Sequence, residues 1–194
     1  SACRGGTMRR KDREMNRVFA EAVIDKAKYG VVSIFDDGSE VPYSIPLSIV
    51  RDGGVLYFHS AKEGRKVDLL SKVGKVRVVF VGDVQVPNLY SKEELDDMVR
   101  DNEKTIQLIS SVFTTQFESA VVTGTITEVK DLEEKVLALR LICEKYTPEK
   151  MDYFDHAVKS GEPRTNIYRI QIETLTGKRK KYDEEGKEMK WGRM

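Results

Sequence analysis

The sequence predicts an α+β fold, mainly β, built on an antiparallel barrel. Short β-rich runs follow one another through Asp-Gly connectors, and only a few capped helical segments interrupt them. Strand and helix never alternate regularly enough for a doubly wound parallel sheet.

The elements follow in order. Residues 15–29 space Val18, Ala22 and Ile24 near helical periods, with Gly30 as a C-terminal stop. Strands are predicted over 31–35, 41–50 and 54–60, joined by "DDGS" and "RDGG", which have the chemistry of tight hairpin turns. Pro42 and Pro46 cannot donate ladder hydrogen bonds, so part of the second strand should face something other than a neighbour. Ser60 and Glu63 fit a capping box for a helix with Val67, Leu70 and Val73 on its apolar stripe. A strand over 75–82 precedes an inserted helix over about 91–111. That helix opens on Ser91 and Glu94 and aligns Leu95, Met98, Val99, Ile106 and Ile109. A strand at 119–129 leads to a helix capped by Asp131 and Glu134 and stopped by Pro148. A short helix near 149–159, a strand at 165–173 and a charged tail complete the chain. One domain over 8–176 is expected, with 1–7 a tag or unstructured lead-in and 177–194 a charged tail.

Composition narrows the function classes. The 33 Lys plus Arg nearly balance the 32 Asp plus Glu, so no global field favours nucleic acid or an anionic membrane. No apolar run approaches the ~18–20 residues of a membrane span, and the basic N-terminus lacks a signal-peptide core. Cys3 and Cys143 match no metal or redox spacing. The expectation is a cytoplasmic protein without a metal centre.

One segment stands out chemically. "YFHSAKEGRKVDLL" (57–70) places Lys62, Arg65 and Lys66 at the start of the predicted helix, where the dipole ordinarily favours acids. Unpaired N–H groups, a guanidinium fork and an ammonium together describe a phosphate cradle, with Gly64 allowing close backbone approach. The same residues also fit a solvated surface behind a simple cap. His59, at a strand end, fits a packed residue as well as a functional one. The residues alone leave a phosphorylated cofactor and a phosphorylated substrate both open.

Three segments in series, "IPLSIV…DGGVLYFHSAKEGRKVDLL", "VFTTQFESAVVTGTITEV" and "YRIQIETLTGKR", resemble the pyridoxamine 5'-phosphate oxidase-like split-barrel families, especially the nitroimidazole-resistance branch. The resemblance covers roughly residues 8–180. It implies a six-stranded antiparallel split β-barrel with flanking helices, a homodimer, and FMN in clefts at the subunit interface. By the same resemblance His59, Ser60, Arg65 and Lys66 meet the cofactor phosphate. Tyr43, Ser44, Ile45, Pro46, Leu47 and Ser48 then run along the flavin and ribityl chain. Ser119 approaches the flavin, Thr114 and Thr115 its pyrimidine edge, and Lys178 reaches the cofactor from the C-terminal segment.

Three departures from the family pattern bear on substrate. The stretch 83–112 is long for the nitroimidazole-resistance branch, and Gln116 and Glu118 stand where a basic residue is often found. The Arg- and His-rich C-terminal signature of true pyridoxamine phosphate oxidases is missing. The resulting expectation is an FMN-dependent oxidoreductase for a small planar substrate such as a nitroaromatic, with NAD(P)H or another reductant. A non-catalytic flavin- or haem-binding barrel is the alternative. His59 is the catalytic candidate, as an acid or base. In "KRKKYDEEGKEMK" the acids cancel the basic run, so a solvated or partner-draped tail fits better than nucleic-acid binding, and Trp191 beyond it carries no assignment. Phe113, Phe117 and the Tyr153–Phe154 pair read as core or interface.

Overall fold

The computed structural model describes residues 8–71 and 74–190. The expectations for residues 1–7, Val73 and Trp191 lie outside the described residues. In chain order the elements are β1 (Glu14–Met15), α1 (Arg17–Lys26), β2 (Gly30–Ile34), β3 (Tyr43–Leu47), β4 (Val50–Asp52), β5 (Val55–Ala61), α2 (Arg65–Leu70) and β6 (Lys75–Gln85). There follow α3 (Lys92–Met98), α4 (Asn102–Ser111), β7 (Gln116–Val129), α5 (Leu132–Tyr146), α6 (Phe154–Gly161) and β8 (Thr165–Lys180). The strands form one sheet in the order β3-β2-β6-β7-β8-β5-β4, with β1 also on β8. All pairs are antiparallel.

This is the expected α+β split-barrel architecture: six long strands and two short ones among the described residues, curled around one core but not closed. β3 and β4 are its edges. Edge position explains Pro46, since its missing N–H costs no ladder bond on the side that has no neighbour. The predicted 41–50 strand divides after Leu47, β3 pairing with β2 and β4 with β5.

Strand alternation separates two cores. Leu56 and Phe58 point into the barrel with Val32, Val78, Phe80, Val122 and Ile170. Tyr57, on the opposite face of β5, packs with Val129, Ile142 and Ile167 under α5. Phe58 and Tyr168 stack at 5.3 Å between centroids, worth about 0.5–1.5 kcal/mol beyond area burial. The Tyr57 hydroxyl donates to Glu134 at 2.9 Å, and Glu134 also pairs with Arg169 at 3.1 Å. Burial and that carboxylate push the Tyr57 hydroxyl up to about 12.

Local expectations fail in instructive places. In α1 the buried stripe is Ala20, Val23 and Ile24, whereas Val18 and Ala22 are exposed. The helix ends at Lys26, so Gly30 is not its stop. Gly30 opens β2, where a Cβ would come within 2.6 Å of the Phe80 ring. The inserted helix is two helices, because Asp101 accepts from the Glu103 N–H and starts α4 afresh. Of the predicted stripe only Met98 is buried, and Val99, Ile106 and Ile109 face outward. β8 runs through Lys180, so residues 177–180 are strand. Beyond them Tyr182 is buried and bridges to Glu188.

The β7–β8 ladder shifts register between Thr123 and Gly124, where a Cβ on Gly124 would lie 2.3 Å from the Gln171 carbonyl oxygen. Gly124→Ala is expected to cost about 2–4 kcal/mol in urea unfolding. At Gly161 an added Cβ meets no atom within 4 Å. Gly161→Ala should therefore be neutral or stabilising by up to about 1 kcal/mol.

Candidate functional site: a cationic corner after β5

After β5 the chain turns at Gly64, with φ +121° and ψ 166°, a conformation open to glycine and strained for other residues. Gly64 is present for this turn, and it N-caps α2 without any side-chain cap. The predicted Ser60–Glu63 capping box does not form. β5 continues through Ala61 because Ser60 and Ala61 pair with Asn166 and Thr165 of β8, and the Ser60 hydroxyl donates to the Ala61 carbonyl at 2.8 Å. Lys62 lies before the helix, exposed. With only six residues in α2, the side chains of the corner outweigh its dipole.

Arg65 donates through Nη2 to Asp36 Oδ2 at 2.5 Å and lies 5.8 Å from the Tyr43 ring centroid. The Asp36 side chain is 7% exposed and also accepts from the Gly38 N–H, while the Arg65 side chain is 64% exposed. Asp36 thus holds one arm of the fork, and the other donors have no acceptor among the described residues. This contact spans the open side of the barrel, joining the end of β5 to the β2–β3 loop. Lys66 is half-buried, and burial lowers its pKa. It forms no ion pair among the described residues. A partly desolvated ammonium without a counter-ion is costly and well placed to receive an anion.

The other expected residues divide into groups. On β3, Tyr43 and Ile45 pack against the barrel core with buried Leu47, while Ser44 and Pro46 face outward. The Ser44 and Ser33 hydroxyls are 2.9 Å apart, and Ser48 is half-buried just past the strand. Ser119 sits opposite Lys178 on β8 and Val81 on β6. The Lys178 ammonium is 5.6 Å from the Phe117 centroid, Lys180 donates to the Thr114 hydroxyl, and Thr115 is exposed. Tyr43 belongs to the row of Val76 and Ser119 to the row of Val81. At standard spacings these clusters are about 20 Å apart on one chain. Between them the outer face carries Val31, Val79 and Val81, with Val81 52% exposed.

The structure also separates His59 from Ser60. Ser60 lies buried on the barrel side of β5, and His59 faces the α5–α6 layer. Glu118, the departure noted in sequence, meets Lys26 of α1 at 2.6 Å, so a cation is supplied there from another element. Sequence reasoning missed Lys26 and Asp36. A helix-terminal lysine and a loop "FDDG" carry no local sign of long-range partners. Among the described residues no His/Cys/Asp/Glu group could hold a metal ion, and no helix is long and apolar enough to cross a membrane.

The sequence profile described as pyridoxamine 5'-phosphate oxidase matches residues 18–91 and 89–179. The chain belongs to the pyridoxamine 5'-phosphate oxidase family. No curated protein matches it by sequence. Solved structures of similar fold include a protein of Bacteroides thetaiotaomicron provisionally assigned to 5-nitroimidazole antibiotic resistance. It is 23% identical with TM-score 0.62, and 85% of each chain is covered. A flavocytochrome of Azotobacter vinelandii is 17% identical with TM-score 0.69, over 95% of this chain and 79% of that one. A FAD- and haem-binding protein of Mycobacterium smegmatis is 16% identical with TM-score 0.64, over 87% and 73%. The matched family segment includes Gly64, Arg65 and Lys66 and both rows of the sheet described above.

His59 titrates with a readable sign. Desolvation, and secondarily Lys66, hold its imidazole below the ordinary range. The unfolded chain therefore takes up a proton near pH 6.5 before the folded chain does, and stability falls as pH drops below about 6.5. His59→Gln should flatten that part of the profile, measured by urea unfolding between pH 7.5 and 5.5.

Proposed function

We propose that the protein is a homodimeric, FMN-dependent oxidoreductase acting on a small planar substrate such as a nitroaromatic, with NAD(P)H or another reductant as electron donor. The observation that carries this reading is the Lys66 ammonium, half-buried without a counter-ion among the described residues, beside an Arg65 fork pre-oriented by Asp36. A dianionic phosphate supplies both missing partners. Family membership supports FMN as the molecule that carries this phosphate.

In this reading Arg65 and Lys66 bind the phosphate, and Asp36 and Tyr43 hold Arg65 in place. The outer face of β3 lies along the ribityl chain. Ser119, Thr114, Thr115 and Lys178 stand at the ring end and belong to the partner subunit, which accounts for the separation of the two clusters on one chain. The apolar strip of Val31, Val79 and Val81 is buried by that partner, excluding water from the ring. When bound, FMN supplies the hydride or single-electron chemistry. The half-buried, free Cys143 suits a cytoplasmic setting.

A second reading, a non-catalytic flavin- or haem-binding barrel, draws on the flavocytochrome and the FAD- and haem-binding protein among the structural relatives. Turnover separates the two. The oxidoreductase reading expects NADH or NADPH to bleach the bound flavin and a nitroaromatic to reoxidise it. A flavin left oxidised by every donor tried favours the second.

Arg65→Ala/Lys66→Ala should weaken FMN by about 100-fold or more while changing riboflavin affinity little, because riboflavin lacks the phosphate. Fluorescence titration of both ligands checks this, and equal losses would make the pair merely structural.

A further inference from the structure

Between α5 and α6 the fold leaves an apolar pocket of about 200 Å³. Leu139, Ile142 and Cys143 form one wall, Phe154 and Val158 another, and His59 projects into it from β5. Its remaining polar groups are already engaged. The Glu162 carboxylate at the rim pairs with Lys135, and the Thr165 hydroxyl donates to the Gly161 carbonyl at 2.7 Å. The His59 imidazole has no hydrogen-bond partner among the described residues. It also lies on the face of β5 opposite Ser60, which separates the pocket from the barrel side of that strand.

We propose that this pocket binds a small uncharged aromatic molecule, of one ring or two fused rings, with one hydrogen-bonding edge turned to His59. Size sets the class. An apolar cavity of about 150 Å³ accepts benzene, so this pocket has room for a substituted or fused small ring and not for a flavin or haem. The single polar group sets the edge. The imidazole is solvent-accessible at the mouth of the pocket and offers one donor and one acceptor, which a ligand hydroxyl or ring N–H can engage in place of water. Apolar walls with one convergent polar group are the usual composition of a small-molecule site. Phe154 adds an aromatic contact, with the Arg140 guanidinium already over its ring at 4.4 Å. The proposal does not depend on the flavin reading.

The test is a titration of the full-length ¹⁵N-labelled protein, with and without FMN, using phenol and indole as probes and toluene as the control without a polar edge. Phenol and indole should give saturable shifts confined to β5, α5 and α6, with toluene about fivefold weaker for want of one hydrogen bond. Two substitutions fill the pocket: Val158→Phe, and Gly161→Leu at a site where an added Cβ meets nothing within 4 Å. Either should weaken phenol by more than about tenfold, with FMN affinity unchanged. His59→Leu should erase the preference for phenol over toluene. Shifts that do not saturate, that map elsewhere, or that persist in both folded filling variants would overturn the proposal. So would equal binding of phenol and toluene by the unaltered protein.

Discussion

Strands β7 and β8 pair from Phe117–Lys180 to Val129–Ile167, with the one register shift at Thr123/Gly124. The first half of β8 carries β5 on its other edge, and β5 delivers the chain to Gly64 and Arg65. The second half carries β1, and Gly177 there lies against Ala20 of α1, where a Cβ would come within 2.9 Å. One long ladder thus sets where both clusters of the candidate site stand. The close approach of Gly124 to the Gln171 backbone is the tightest point in it. A bulge of this kind bends the strands and lets a single sheet curl around a core without closing.

The open side of the barrel is crossed by side chains. Arg65 reaches from the end of β5 to Asp36 and to the Tyr43 ring on β3, the edge strand. The bridge is polar and its cation is largely exposed, so its contribution to stability is modest. Its larger effect is positional: a buried carboxylate fixes a guanidinium whose remaining donors face solvent, with a half-buried ammonium next in sequence. In the proposed reading, folding accepts a small local cost at Lys66 that the cofactor phosphate later offsets.

Much of this architecture was legible before the structure. Alternating β-rich runs, Asp-Gly turns and the Ser91 and Asp131 caps are local signals, and each corresponds to a feature of the fold. The errors have a common cause. Ser60–Glu63 matched a capping box, yet ladder bonds to Asn166 and Thr165 extended β5 past the serine. Residues 177–180 were grouped with the charged tail because their charges are all the local sequence shows. Pairing with β7 makes them strand, and the buried Arg179 lies 5.8 Å from the Phe19 ring. Asp101 was the exception, since "DNE" was a readable cap inside the insertion. For the site, cationic residue types were visible in sequence. The face each occupies, the Asp36 clasp and the Lys26–Glu118 pair depend on partners far away in the chain.

In the proposed reading, one chain supplies the Arg65–Lys66 corner of a flavin site and a second chain supplies its Ser119–Lys178 end. Mixed dimers separate the two contributions. An Arg65→Ala/Lys66→Ala chain is paired with a Ser119→Trp chain, each carrying a different tag, and dimers retained on both tags are assayed for FMN content. Neither variant alone should retain FMN through purification, whereas the mixed dimer, which rebuilds one intact site, should hold one FMN. A mixed dimer that holds none, or a Ser119→Trp protein that binds FMN normally by itself, would contradict that reading.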